Sequence, residues 1–152
     1  MERFRSVLLY ERTIIMIYHV NRVSFKAGVS EEDKRHGLEL LRRQGEAIPA
    51  VKSFVVGADL GGDYEVGAIF VFEDLDGFWE YLVHPVHFEN EKWGFPFIER
   101  FEAFDTTDSD DPEYGQKIAA LQTRSYQENP ELAALVSQVP SFVAAGDSGS
   151  PE

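Results

Sequence analysis

The chain contains no cysteine. Disulfide scaffolds, thiolate zinc sites and cysteine nucleophiles are therefore excluded. The composition suits a reducing compartment, and a cytoplasmic location is the expectation. Basic residues are scarce: 14 Lys and Arg stand against 27 Asp and Glu, for a formal charge of −13. Nucleic acids and anionic membranes want a basic face. Lys34-Arg35 and Arg42-Arg43 sit among acids and read as solvated helix surface, so no nucleic-acid partner is expected. No apolar run approaches the roughly 18 residues of a membrane helix. Ser6 to Val23 comes nearest, but Glu11, Arg12, His19 and Arg22 interrupt it. It also lacks a small-residue cleavage site, so neither a signal peptide nor a membrane partner is expected.

Aromatic residues, in contrast, are plentiful: twelve Phe, six Tyr and two Trp in 152 residues. A chain of this length buries roughly two-thirds of its unfolded surface and needs no metal or disulfide to fold.

Residues 1–12 read as an N-terminal extension. Residues 13–26 are β-branched, aromatic or apolar and predict a first strand. One face would carry Ile15, Ile17, His19, Asn21, Val23 and Phe25. Ser30 followed by Glu31, Glu32 and Asp33 is a capped helix start, with acids at the positive end of the dipole. Leu38 and Leu41 continue an apolar stripe until Pro49. Residues 51–57 and 64–73 predict two strands joined by the turn at 59–63. The glycines of that turn open a strand, not a helix, which argues against a phosphate loop. Asp74 would cap a second helix with Leu75, Phe78, Trp79 and Leu82 on one face, ending or kinking near Val83 before Pro85. A short helical piece from His87 to Trp93 and a fourth strand at 97–105 follow.

This order, β-α-β-β-α-β, predicts an α+β ferredoxin-like domain over 13–105: two helices on one face of a four-stranded antiparallel sheet. The other sheet face is also apolar and needs either the tail or a second copy to cover it. Residues 106–142 read as an acidic linker with short helices at 113–127 and 130–139. Residues 143–152 are small, Gly/Ser-rich and expected to be disordered. From residue 106 onward, eight acids and two bases supply −6 of the −13.

Ile17-Tyr18-His19-Val20 opens the first strand, which ends in Phe25-Lys26-Ala27-Gly28. Ile48-Pro49-Ala50-Val51 leads into Phe54-Val55-Val56-Gly57, and Phe72-Glu73-Asp74-Leu75 leads into Tyr81-Leu82-Val83-His84-Pro85-Val86-His87. In these motifs residues 16–105 resemble the stress-responsive dimeric α/β-barrel (Dabb) family. The resemblance implies a homodimer with two sheets packed face to face. A plant member similar in sequence, the olivetolic acid (polyketide) cyclase, implies Tyr81 and His87 as catalytic residues and His19 as a pocket histidine. Two pocket positions of that cyclase depart here, at Leu41 and Val66.

The residues themselves allow the same chemistry. Imidazole titrates near pH 6.5 and can move a proton at neutral pH. A phenol is a good neutral donor. His87 as base and Tyr81 as donor to a developing oxyanion would serve a cyclase or lyase acting on a hydrophobic, ketone-bearing molecule without a cofactor. Phe25, Val23, Val66, Phe70, Phe78, Trp79 and His84 would line the pocket. Structural readings stand beside these. Tyr81 and His19 also fit as core residues with satisfied polar atoms, His84 could bond a free backbone carbonyl, and His87 could tie the loop to the sheet. A metal held by His84 and His87 with Glu89 or Glu91 is disfavoured, because the spacing is not diagnostic and Pro85 spoils regular helix geometry. The Asp108-Asp110-Asp111-Glu113 run lacks the glycine and spacing of a calcium loop. A non-catalytic dimer binding a small ligand is the main alternative. A dimeric monooxygenase is a third, suggested by Asn21 and the two Trp residues on fold analogy.

Overall fold

The computed structural model describes residues 15–145; the expected extension at 1–12 and residues 146–152 of the expected disordered tail lie outside the described residues. The order is β1 (Ile17–Phe25), α1 (Glu31–Ala47), β2 (Ser53–Ala58), β3 (Val66–Phe72), α2 (Leu75–Val83), α3 (Pro85–Gly94), a 3₁₀ turn (Phe95–Phe97), β4 (Ile98–Thr107), α4 (Tyr114–Glu128), α5 (Pro130–Ser137) and β5 (Ser141–Val143). The ferredoxin-like core agrees with the sequence pattern. The sheet, however, has five strands in the order β2-β3-β1-β4-β5. The four-stranded expectation missed β5, which pairs parallel with β4 through Phe101 and Phe142. Val143, expected to be disordered, belongs to this strand.

Local chemistry sets the boundaries. Ser30 accepts from the Asp33 amide at 3.1 Å, and Asp74 accepts from the Gly77 amide at 2.7 Å. α2 ends at Val83, as expected, and Pro85 opens a separate helix. It occupies the first turn of α3, where a missing N–H costs nothing. His84 caps that helix, its Nδ1 accepting from the Val86 amide at 3.1 Å. This replaces the expected bond from His84 to a carbonyl. Gly61 turns the β2–β3 hairpin at φ +90°, a conformation side chains rarely adopt. Gly45, buried on α1, lies so close to the Phe54 ring that a Cβ there would overlap it, which is how α1 settles onto β2.

Alternation along β1 turns Ile17, His19, Asn21 and Val23 toward the helices. β3 adds Val66, Ala68, Phe70 and Phe72 to the same side. One core cluster joins Phe70, Phe72, Phe78 and Tyr81 to Tyr114 and Ile118 of α4. A second joins Val23, Phe95 and Ile98 to Leu132 of α5 and to Val139. The acidic tail therefore packs on the helical side: α4 lies against α2, and α5 against α3. Among the described residues, no element covers the opposite sheet face. There Val55 pairs with Ile69, Ile69 with Val20 and Val20 with Phe104, an apolar row across four strands. Val55 and Phe104 are 65% and 42% exposed.

Candidate active site

Between the helices and the sheet lies a cluster of buried polar side chains. β1 contributes His19 and Asn21, α1 contributes Gln44, α2 contributes Tyr81, and α3 contributes His87, with Glu91 beside it at 12% side-chain exposure. His87 and Glu91 are four residues apart on α3 and so share a helix face.

Tyr81 is fully buried. Its hydroxyl donates to Gln44 Oε1 at 3.3 Å. Burial raises the phenol's pKa well above its usual value, reinforced by Glu91. The His87 ring stacks on Tyr81, with centroids 4.3 Å apart and planes inclined by 27°. His19 lies edge-on to Tyr81 at 5.8 Å, its Nδ1 2.7 Å from Asp105 Oδ1. The three histidine and tyrosine residues singled out from the sequence thus meet.

His87 Nδ1 lies 3.2 Å from the Leu82 carbonyl. A carbonyl can only accept, so Nδ1 carries the proton and Nε2 keeps its lone pair. Burial, with smaller contributions from His19 and His84, lowers the His87 pKa to about 3. Glu91 Oε1 is 3.3 Å from the same Nδ1 without hydrogen-bond alignment, and burial holds this carboxyl well above the usual carboxylate range. At neutral pH the imidazole is uncharged, and burial favours the uncharged form of the carboxyl beside it.

Two cavities meet here. The first, about 60 Å³, is walled by Val23, Phe25, Leu41, Val66 and Trp93, among others. The second, about 30 Å³, reaches His19 and the tail residues Gln122, Tyr126 and Phe142. Asn21, His87, Glu91, Phe95 and Phe101 border both.

Val23, Phe25 and Val66 therefore line the space as expected, joined by Leu41. Four expected lining residues border neither cavity. Phe70 and Phe78 are fully buried core, packed on or beside Tyr81. Trp79 lies under the Arg124 guanidinium at 4.3 Å, and His84 is the α3 cap. Tyr81 also borders neither cavity, and its proton goes to Gln44, not into open space. Sequence reasoning missed Gln44, the tail residues and, outside a discounted metal set, Glu91. The available signal was Pro85 as a first-turn proline, which makes 87 and 91 one face. Among the described residues no group of three His, Asp or Glu could hold a metal ion.

The two buried titrating groups push stability in opposite directions. The unfolded His87 takes up a proton below pH 6.5, while the folded one resists until about 3. Stability from this group is complete above pH 6.5 and falls by up to about 1.4 kcal/mol per pH unit as the pH drops through that window. Glu91 does the reverse, since its unfolded form ionises first and stability falls as pH rises above the usual carboxylate range. Urea titrations of wild type and His87→Phe between pH 4 and 8 should show a shallower acid limb in the variant. Parallel limbs would contradict the buried neutral imidazole.

The fold and the buried site define a ferredoxin-like α+β domain with a polar pocket between its helices and its sheet. The chain belongs to the stress responsive A/B barrel domain family, whose model matches residues 17–108. No curated protein matches the chain. Among solved structures, a dimeric ferredoxin-like protein of unknown function from Thermobifida fusca is 25% identical, with a TM-score of 0.56, over 60% of this chain and 90% of that one. A Dabb family protein from Mesorhizobium loti is also 25% identical, with a TM-score of 0.53, over 60% and 95%. The hydroxynitrile lyase of Passiflora edulis shares the fold, at 17% identity and a TM-score of 0.57, over 62% and 94%.

Proposed function

We infer that the protein is a homodimeric, cofactor-free acid–base catalyst of the cyclase or lyase type, acting on a compact, ketone-bearing small molecule. One observation carries this reading: the His87 imidazole is buried and neutral, has Nε2 unprotonated, and borders two cavities in a largely apolar interior. Such an imidazole is in its acceptor form at pH 7, but burial makes it a weak base. Its place at both cavities is what supports a catalytic role, and a bound ligand's polar groups must offset the desolvation before it removes a proton next to a carbonyl. Tyr81 holds the imidazole plane from behind, and His19, fixed by Asp105, borders the second cavity. The small volumes limit the substrate to a few heavy atoms beyond what side-chain movement admits. The bare apolar row on the sheet supports pairing with a second copy, in keeping with the dimeric Thermobifida protein.

Exchange of ketone α-protons with deuterated water, followed by NMR, tests the chemistry without a known substrate. The wild type should accelerate exchange in small methyl ketones, and His87→Ala should lose about 100-fold or more of that acceleration. Tyr81→Phe should lose less, because it keeps the ring that orients His87. Equal rates for all three proteins would reject the catalytic role. The tight packing of the interior favours a second reading, a small-ligand binding module. Saturable binding without accelerated exchange would establish that instead.

A further inference from the structure

Among the described residues, two buried side-chain atoms have no hydrogen-bond partner: Asn21 Oδ1 and Glu91 Oε1. Buried polar groups in folded proteins are nearly always paired, and each exception asks for an explanation. Both residues border both cavities, and the acid–base reading uses neither. Their neighbours on the walls, Val23, Leu41, Phe95 and Phe101, are apolar. An apolar side chain at 21 or 91 would close the core without leaving an oxygen unpaired.

We propose that Asn21 and Glu91 are a recognition pair for a small uncharged molecule carrying an O–H or N–H donor beside a carbonyl acceptor. The donor goes to Asn21 Oδ1, and the carbonyl accepts the carboxyl proton of Glu91. This assignment rests on the reading that the cavities are the ligand site, and it names what they select.

The surrounding bonds fix the polarity of each partner. Tyr81 gives its proton to Gln44 and not to Asn21, and Asn21 Oδ1, an amide oxygen, can only accept. His87 spends its N–H on the Leu82 carbonyl and so does not satisfy Glu91. Burial raises the Glu91 carboxyl above the usual carboxylate range, which favours its protonated, donor form. The pair therefore presents one acceptor and one donor. Among the described residues, no Lys or Arg lines either cavity, so an anionic ligand would lose its hydration with no counter-charge from these walls. A plain ketone fills one half of the pair and leaves Asn21 unpaired. Cavities of about 60 and 30 Å³ hold only a few heavy atoms. The outer wall comes from Gln122, Tyr126 and Phe142, which lie beyond the family match at residues 17–108. The enclosure of this pair is thus built partly by the tail.

The test is a set of amide-shift NMR titrations with the full chain. The probes are propanamide and hydroxyacetone (donor beside carbonyl), butanone (acceptor alone) and propanoate (anion). Propanamide and hydroxyacetone should give saturable shifts around residues 21 and 91, with butanone and propanoate about tenfold weaker or worse. Glu91→Met and Asn21→Leu should melt at or above the wild-type temperature and lose the preference. Glu91→Gln, which keeps a neutral donor, should retain most of it. Butanone binding as well as propanamide, propanoate binding best, no saturable shift with any probe, or the preference surviving in Glu91→Met would each overturn the pair. Proton exchange that depends on His87 without this preference would remove the pair alone. The preference without exchange would remove the catalytic reading alone.

Discussion

Replacing Ile69 with Asp should convert the protein from a dimer to a monomer in sedimentation velocity at micromolar concentration. Ile69 sits in the middle of the apolar row, paired on one side with Val55 and on the other with Val20. It is 36% exposed although it lies within the sheet, and Tyr18 and Phe104 nearby are 46% and 42% exposed. Contiguous apolar surface of this kind marks an interaction site. In a symmetric pair the same patch faces its own copy, so one substitution places two carboxylates in a dry interface. Truncating one apolar anchor there typically costs 2 kcal/mol or more, and a buried unpaired charge costs about as much again. Together these effects should raise the dissociation constant by roughly a thousandfold. The helical side is untouched, so far-UV circular dichroism should stay native. A dimer that survives Ile69→Asp would place the interface elsewhere. A wild type that is monomeric at millimolar concentration would leave the bare face without a function.

Leu132→Ala, in the tail, should destabilise the domain by about 2–5 kcal/mol. The side chain is 3% exposed and packs in the cluster of Val23, Phe95 and Ile98, directly behind the cavity walls. It belongs to α5, which rests on α3, the helix that carries His87 and Glu91. The loss should be visible in urea unfolding as a lower midpoint with an unchanged slope. Ile118→Ala, 4% exposed in the cluster around Tyr81, should behave alike. The two sites lie in separate clusters, so their effects should add within a few tenths of a kcal/mol. If both substitutions were neutral, the tail would be an appendage and not part of the core. That result would also remove the second cavity's outer wall.

The β-α-β-β-α-β order was legible because strand alternation and helix caps are local properties. His19, with Ile17 and Val23, announced one buried face, and Ser30 and Asp74 announced two helix starts. The meeting of His19, Tyr81 and His87 was implied by the family resemblance of two motifs, one in β1 and one running from α2 into α3. What was not legible depends on surfaces distant in sequence. Ser141–Val143 has no pattern of its own and becomes a strand only because the β4 edge lies beside it. The side of the sheet that the tail would choose could not be read from Ile118, Leu121 and Leu132, which are apolar whichever face they meet. Phe70, Phe78 and Trp79 were expected at the pocket because aromatic residues suit both core and cavity. Phe70 packs on Tyr81 and Phe78 on Phe72 within the core, and Trp79 meets Arg124 of α4. Glu91 was considered only as one option in a disfavoured metal set. Its place on the His87 face was missed because Pro85 was read as spoiling the helix, although a proline in the first helical turn leaves the rest regular.

β5 has a bearing on solubility. A strand at a sheet margin offers its free amides and carbonyls to any passing extended chain, and proteins guard such margins. Three residues, Ser141 to Val143, occupy the margin of β4 at Arg100–Glu102. Peeling them away would uncover that stretch of backbone together with Phe101, which Phe142 otherwise covers in a stacked pair. A short C-terminal segment with little stability of its own thus stands between a finished sheet and one able to recruit further strands.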